Sequence, residues 1–245
     1  MTRLVQLTDC HLCADSGQSF YNVNPYKALH RVLSQVAKDA PDGVLVTGDI
    51  SGDDSAQSYQ HFIASMKLFL PDCPWRVIPG NHDKNDAFYE AMGQTQLQAG
   101  VPWSLPKWHI HGLDTRLVAA RGTVRENELA SVAAAMAEHP QSAHLVALHH
   151  HIQPTHSWMD QHSLTNPDVL LAWLAQNHRV SLLIHGHVHA ALAYTASQKT
   201  VLAAPSTCWQ WALNNDFAVA PLAPGYRVIE LADDGSWSSW IRRVE

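Results

Sequence analysis

Long apolar runs are missing from this chain. Nowhere in its 245 residues do about 18 apolar side chains follow one another, which excludes a conventional membrane-spanning helix. Cysteine is scarce: Cys10, Cys13, Cys73 and Cys208 are too few and too scattered for a disulfide framework. Cys10 and Cys13 do form a C-x-x-C, but with His-Leu between them on an acidic turn, outside a thioredoxin-like setting, so free reduced thiols are expected. Positive charge is also in deficit, with 16 Lys and Arg against 22 Asp and Glu and a net charge of −6. That argues against a broad basic surface for nucleic acid. A small phosphate-bearing substrate stays admissible, because a bound cation reverses the local sign of an acidic site. The opening "MTRLVQLTDCH" lacks the apolar core of a secretion signal, so a cytoplasmic protein without membrane association is expected. The sequence admits a homodimer without defining an oligomeric state.

Histidine, by contrast, is abundant. Seventeen are present, concentrated in a few segments. They sit within an alternation of short apolar runs and helically spaced segments. "RLVQLT", "GVLVTGD", "WRVIPGNHD", "WHIHGLDT", "AHLVALHHH" and "RVSLLIHGH" read as strands. Between them, 25–39, 59–70, 84–93, 125–139 and the segment capped by Asn166-Pro167 read as helices. After residue 190 only short β segments follow. The pattern is α/β, turning all-β near its end. No linker, repeat or low-complexity stretch divides residues 1–245, and one domain is expected.

The polar residues of interest share one address. Asp9 and His11, Asp49, Asn81 and His82, His149, and His187 and His189 each follow an apolar strand. Ligand sites in α/β sheets lie beyond such strand ends. A single Gly-Asp turn is ordinary turn chemistry, but five polar strand ends in series are not. Imidazole, carboxylate and amide oxygen together suit Mn, Fe or Zn. Seven ligands among these eight side chains exceed what one ion needs and serve two ions if a carboxylate bridges them. Two metals about 3.5–4 Å apart can activate water and clamp the oxygens of a phosphoryl displacement. Gly48, Gly80 and Gly186 each precede a candidate ligand, where the backbone must come close.

The ordered set "DCH" (9–11), "GD" (48–49), "GNHD" (80–83), "LHHH" (148–151) and "GHVH" (186–189) resembles the calcineurin-like metallophosphoesterase signature, over residues 3 to about 210. "SWMDQHSLTN", "APSTCWQW" and "APGYRVIEL" narrow the resemblance to bacterial class III (CpdA-type) 3′,5′-cyclic-nucleotide phosphodiesterases. The resemblance implies a four-layer αββα sandwich, two mixed β-sheets flanked by helices. It implies two divalent or trivalent metal ions, Fe or Mn first and Zn next. Asp9, His11, Asp49 and His189 would hold the first ion. Asp49 would bridge to the second, completed by Asn81, His149 and His187. His82 would be a non-ligand that binds phosphate and protonates the leaving alkoxide, with Asn81 also on the substrate side. Hydroxide held between the metals would open the 3′ ester of a cyclic nucleotide such as cAMP to give the 5′-monophosphate. Asp83 would orient a neighbouring histidine, or else stabilise its turn.

In "HHH", His149 ends the strand and matches the ligand position, His150 is a substrate-side candidate, and His151 reads as a turn residue. His185 precedes Gly186 in the strand and reads as buried or supporting, so "IHGHVH" supplies two ligands rather than three. Trp158, Trp209 and Trp211 read as core or rim packing ahead of a nucleobase pocket. His109 and His111 read as structural or exposed. Two other functions compete. One is the same hydrolase acting on a glycerophosphodiester, a nucleotide pyrophosphate or a phosphomonoester. The other is a metal-poor scaffold, which would show lost ligands, and none of the motif positions is lost.

Overall fold

A computed structural model describes residues 1–245. Strands β1 (Thr2–Leu7), β2 (Gly43–Val46) and β3 (Trp75–Val77) alternate with helices α1 (Pro25–Asp39) and α2 (Ala56–Phe69), and α3 (Asp86–Met92) follows. The chain continues with β4 (Trp103–Leu105), β5 (Trp108–Gly112), α4 (Glu126–Glu138), β6 (Ala143–Ala147), α5 (Pro167–Gln176) and β7 (Val180–His185). It ends on β8 (Leu192–Ala196), β9 (Lys199–Ala203), β10 (Gln210–Trp211), β11 (Val219–Ala220), β12 (Gly225–Leu231) and β13 (Trp237–Arg243). One sheet has the order β13-β12-β1-β2-β3, the other β4-β5-β6-β7-β9-β8, and β10 pairs with β11 apart from both. Both large sheets are mixed. In the first, β1, β2 and β3 run parallel and the late strands β12 and β13 pair antiparallel. In the second, β5, β6, β7 and β9 are parallel between antiparallel edges.

The layering follows from period-2 alternation in strands that are apolar on both faces. On the first sheet Val5, Leu7, Val44 and Val46 pack with Leu29, Val32, Phe62 and Phe88 of α1–α3. On the second, Val146 and Leu183 join Leu129, Val132, Leu170 and Leu174 of α4 and α5. The intervening positions, Leu4, Leu45 and Ile229 on one sheet and Leu145, Leu182 and Ile184 on the other, form the core between the sheets. The result is the expected four-layer αββα sandwich. No helix is long and apolar enough to cross a membrane.

Asn24 caps α1 by accepting from Lys27 N, with Pro25 in the first turn. Asn166 was expected to cap α5 but does not do so through its side chain. That amide instead accepts from Val124 N and donates to Val124 O, tying the two loops ahead of α4 and α5 together. Cys10 and Cys13 are free and buried, and burial raises their thiols to about 12 and about 11, which keeps both protonated.

His109 and His111 face the helix side of the second sheet, opposite Ile110 in the inter-sheet core. There His109 stacks on His139 at 3.9 Å, and His111 Nε2 lies 3.0 Å from His144 Nδ1. They are structural. Burial pushes His111 down to about 3 and His144 to about 4 from the ordinary 6.5, and His109, His139 and (for His144) Arg179 add repulsion. The folded state therefore binds fewer protons than the unfolded one. The cluster's contribution is whole above pH 6.5 and is lost as pH falls toward 4. A His111→Leu/His144→Leu variant should lose less thermal stability than the wild type between about pH 7 and about pH 5. Equal losses would acquit the cluster. In the inter-sheet core, Leu145→Ala should cost about 2–5 kcal/mol in chemical denaturation. Leu68→Ala, at a residue 66% exposed, should stay within about 0.5 kcal/mol.

Candidate metal centre

The candidate ligands lie where five strands stop. Asp9 and His11 follow β1, Asp49 follows β2 and Asn81 follows β3, all from the first sheet. His149 follows β6, and His187 and His189 follow β7, from the second. The chain makes each turn abruptly. Asp9, His11, Asp49, His187 and His189 all have positive φ, between 43° and 69°, in the left-handed region that non-glycine residues avoid. The glycines beside them admit close approach. A Cβ on Gly80 would meet Asp49 Oδ1 at 2.2 Å, and one on Gly186 would meet Thr8 Oγ1 at 2.0 Å.

Two buried clusters result. The ligand atoms of Asp9, His11 and His189 lie within 4.8 Å of one another, as do those of Asp49, His149 and His187. Asp49 links them, with Oδ2 3.3 Å from His149 Nε2 and 3.8 Å from His11 Nε2. Asn81 Oδ1 lies 3.2 Å from His149 Nε2. His82 is exposed and meets the His11 ring edge-on at 4.9 Å, and its backbone N–H donates to Asp49 Oδ1. His82 also falls within ligand distance of His11 and Asp49.

Backbone carbonyls orient the imidazoles. His149 Nδ1 donates to Thr47 O (2.7 Å), His187 Nε2 to His162 O (3.1 Å) and His189 Nδ1 to Trp209 O (2.9 Å). Each bond leaves the other nitrogen as a lone-pair donor aimed inward. Those nitrogens crowd together: His11 Nε2 is 3.1 Å from His189 Nε2, and His187 Nδ1 is 3.2 Å from His149 Nε2. Two lone pairs at that distance need a proton or a cation between them. Asp9 Oδ1 is buried without a hydrogen-bond partner, while Oδ2 accepts from Thr8 Oγ1 and His187 N. Crowded nitrogen lone pairs and a buried carboxylate oxygen that accepts no hydrogen bond fit a binuclear metal site.

Electrostatics point the same way. Burial alone would raise Asp9, but His189 and His149 reverse it and hold the carboxyl below its usual range. Burial pushes His11 down to about 3, leaving it neutral and free to ligate. His149 resists burial because Asp49 and Asp9 face it, and it rises to about 9. Without a cation the site gathers a proton there, which a metal would displace.

Three sequence readings are refined. His150, expected on the substrate side, is fully buried: its Nδ1 pairs with Thr115 Oγ1 at 2.7 Å and its ring packs beside His187. It supports the site from within. His151 is likewise buried, stacked on the His187 ring. The Asp83 carboxylate hydrogen-bonds to no histidine. It accepts from the backbone of Ile50, Ser51 and Gly80 and from Tyr59 Oη, clamping the turns that carry Asp49 and Asn81 together. Burial, aided by Asp49, raises it to about 6. The orienting carbonyls of Thr47, His162 and Trp209 were not anticipated, since every residue carries a carbonyl and only the fold aims one.

His185 is buried below the site, its Nδ1 on Gly186 O and its Nε2 on Tyr194 Oη. His185→Ala should therefore retain both metals, whereas His187→Ala or His189→Ala should each lose one ion per chain on elemental analysis after reloading. Loss of metal in the first variant equal to that in the other two would contradict the assignment.

The family model for calcineurin-like phosphoesterases matches residues 2–191. The chain is 33% identical over 248 residues to the 3′,5′-cyclic adenosine monophosphate phosphodiesterase CpdA of Escherichia coli strain K12, covering 99% of this chain and 90% of that protein. The CpdA of Pseudomonas aeruginosa is 34% identical with the same coverage. Among solved structures, a dimetal phosphatase from Danio rerio superposes with a TM-score of 0.67 at 13% identity, over 100% of this chain and 99% of that one. At that identity the likeness speaks for the fold alone. On sequence, fold and buried Asp/His clusters together, the chain belongs to the calcineurin-like phosphoesterase family, as a metal-dependent phosphoesterase.

Proposed function

We propose that the protein hydrolyses 3′,5′-cyclic nucleotides, cAMP foremost, to nucleoside 5′-monophosphates. The observation that carries the reading is the pair of Asp/His clusters joined at Asp49, with the exposed His82 beside them. The named activity of full-length relatives at 33–34% identity supports the choice of substrate. Asp9, His11, Asp49 and His189 would hold one ion and Asp49, Asn81, His149 and His187 the other. When bound, such ions supply an activated water and positive charge for the phosphate oxygens.

The chain's own residues supply the rest. Exposed His82, whose ring meets that of His11, would give a proton to the ribose O3′ as the P–O3′ bond breaks and the water's hydroxyl joins phosphorus. The Asn81 amide, half-buried beside it, has its N–H₂ available for a phosphate oxygen. Asp83 acts through the turns it clamps, fixing Asn81 and His82 relative to Asp49.

The test is a hydrolysis panel on Mn- or Fe-loaded protein with 3′,5′-cAMP, 2′,3′-cAMP, a glycerophosphodiester and an aryl phosphate. Preference for 3′,5′-cAMP is expected; its resistance while another natural diester turns over rapidly would refute the reading. His82→Ala should retain metal and lower kcat by about 10²–10⁴-fold.

A further inference from the structure

The two imidazoles of the first cluster are backed by an aromatic wall that proton transfer and metal binding leave unexplained. Trp209 stacks on His11, with centroids 5.1 Å apart and planes at 24°, and Trp211 stacks on His189 at 4.8 Å and 24°. Tyr21 meets both indoles edge-on, at 5.2 and 5.4 Å. Phe217 closes on Tyr21 and Trp211 at 5.9 and 5.4 Å. Exposure rises along the wall. Trp209 is 6% exposed, Trp211 is half-buried, and Tyr21 and Phe217 are 47% and 53% exposed. The wall thus runs from the candidate ligands out to solvent. Exposed His82 and exposed Tyr21 flank the buried His11–Trp209 pair.

The backbone under Tyr21 gives a second, independent observation. Phe20 and Val23 exchange both backbone hydrogen bonds, 2.9 and 2.8 Å, so Tyr21 and Asn22 form a two-residue hairpin turn. Both have positive φ, 51° and 64°. Asn, Asp and Gly suit such a turn, and a bulky aromatic at its first central position is an outlier that costs free energy. Strain of this kind persists where the surroundings impose it and clusters at ligand sites. Here it holds a phenol ring at the outer end of the wall.

We infer that Tyr21, backed by Trp211 and Phe217, is the stacking surface for the base of a nucleotide whose phosphate lies at the metal centre, with purines preferred. The inference rests on the nucleotide reading above and extends it to the other end of the substrate. An aromatic face accepts any base by stacking, and a purine offers the larger π surface. A sugar phosphate without a base would gain nothing from the wall.

The discriminating variant is Tyr21→Asn, which suits the turn and removes the ring. Its thermal stability should equal or exceed that of the wild type. On metal-loaded protein, KM for cAMP should rise about 5- to 20-fold, the low end of base–aromatic stacking for a half-exposed ring, with kcat within about twofold. Binding of 5′-AMP, followed by tryptophan fluorescence, should weaken by the same factor, and binding of ribose 5-phosphate should not change. Tyr21→Phe should restore 5′-AMP binding. Unchanged 5′-AMP binding in Tyr21→Asn overturns the proposal, as does equal weakening of 5′-AMP and ribose 5-phosphate. Turnover of cAMP that is indifferent to Tyr21 removes the base platform and leaves the phosphodiesterase reading standing. If the wild type fails to turn over cAMP while 5′-AMP binding still depends on Tyr21, the platform stands and the reaction assigned above does not.

Discussion

Leu4, Leu45 and Ile229 of the first sheet share one core with Leu145, Leu182 and Ile184 of the second, and the metal centre exists only where that core ends. Neither sheet carries a complete set of candidate ligands. The first contributes both aspartates, His11 and Asn81, and the second contributes His149, His187 and His189. The sheets are also tied by a polar strut. Gln6, on the inner side of β1, donates from Nε2 to Thr47 Oγ1 on its own sheet and to His185 O on the other. Thr47 in turn lends its carbonyl to His149. Packing therefore sets the spacing that chemistry uses, and a slip of one sheet against the other would separate Asp49 from His149.

Holding the site open to cations runs against several local preferences at once. Five candidate ligands adopt left-handed backbone, each costing of order 1–3 kcal/mol unless the surroundings offset it. Two carboxylates lie close enough for each to raise the other's affinity for protons. Burial of imidazole disfavours its charged form. The histidines decide the balance: facing the carboxylates, they hold Asp9 and Asp49 ionised despite burial and mutual repulsion. The carbonyls of Thr47, His162 and Trp209 fix each ring so that its lone pair can face nowhere else. Aimed lone pairs and ionised carboxylates form a donor set whose self-repulsion a cation relieves, which is why the strain is tolerable.

Much of this was legible in the residues. Period-2 alternation of apolar side chains sets the four layers, and strand ends carrying Asp, Asn and His mark the centre. What escaped has physical reasons. β4 is three residues long and β10 and β11 are two each, too short to display a period. Asn166 precedes Pro167 as a cap would, yet tertiary contact with Val124 claims its side chain. Asp83 sits among ligands in sequence, but the 3-10 turn at Asn81–Asp83 turns its carboxylate toward the amides of Ile50 and Ser51. In "HHH" all three rings are buried, so burial could not separate them. Only the partners do: Asp49 and Asn81 for His149, Thr115 for His150, and Asp160 at 3.5 Å for His151.

The two histidine assemblies of this fold show what a metal site needs beyond histidine. His109, His111, His139 and His144 are as crowded as the rings of the candidate metal centre, with a 3.9 Å stack and a 3.0 Å nitrogen contact. Yet His111 Nε2, both nitrogens of His144 and Nδ1 of His109 are spent within the cluster, on Ser104 or on the His139 carbonyl, and although His111 Nδ1 is left without a partner, no carboxylate faces it. No carboxylate there offsets burial, and the His139 carbonyl does so only in part for His144, so His111 and His144 stay neutral, pushed to about 3 and about 4. At the strand ends the same side chain meets aspartate, and a carbonyl removes its choice of tautomer. The same logic orders "IHGHVH". His185 gives one nitrogen to Gly186 O and the other to Tyr194 and is used up, whereas His187 and His189 each keep one nitrogen facing the acidic cluster. Ligand capacity is thus a property of what the second nitrogen is bonded to, and the fold assigns that bond.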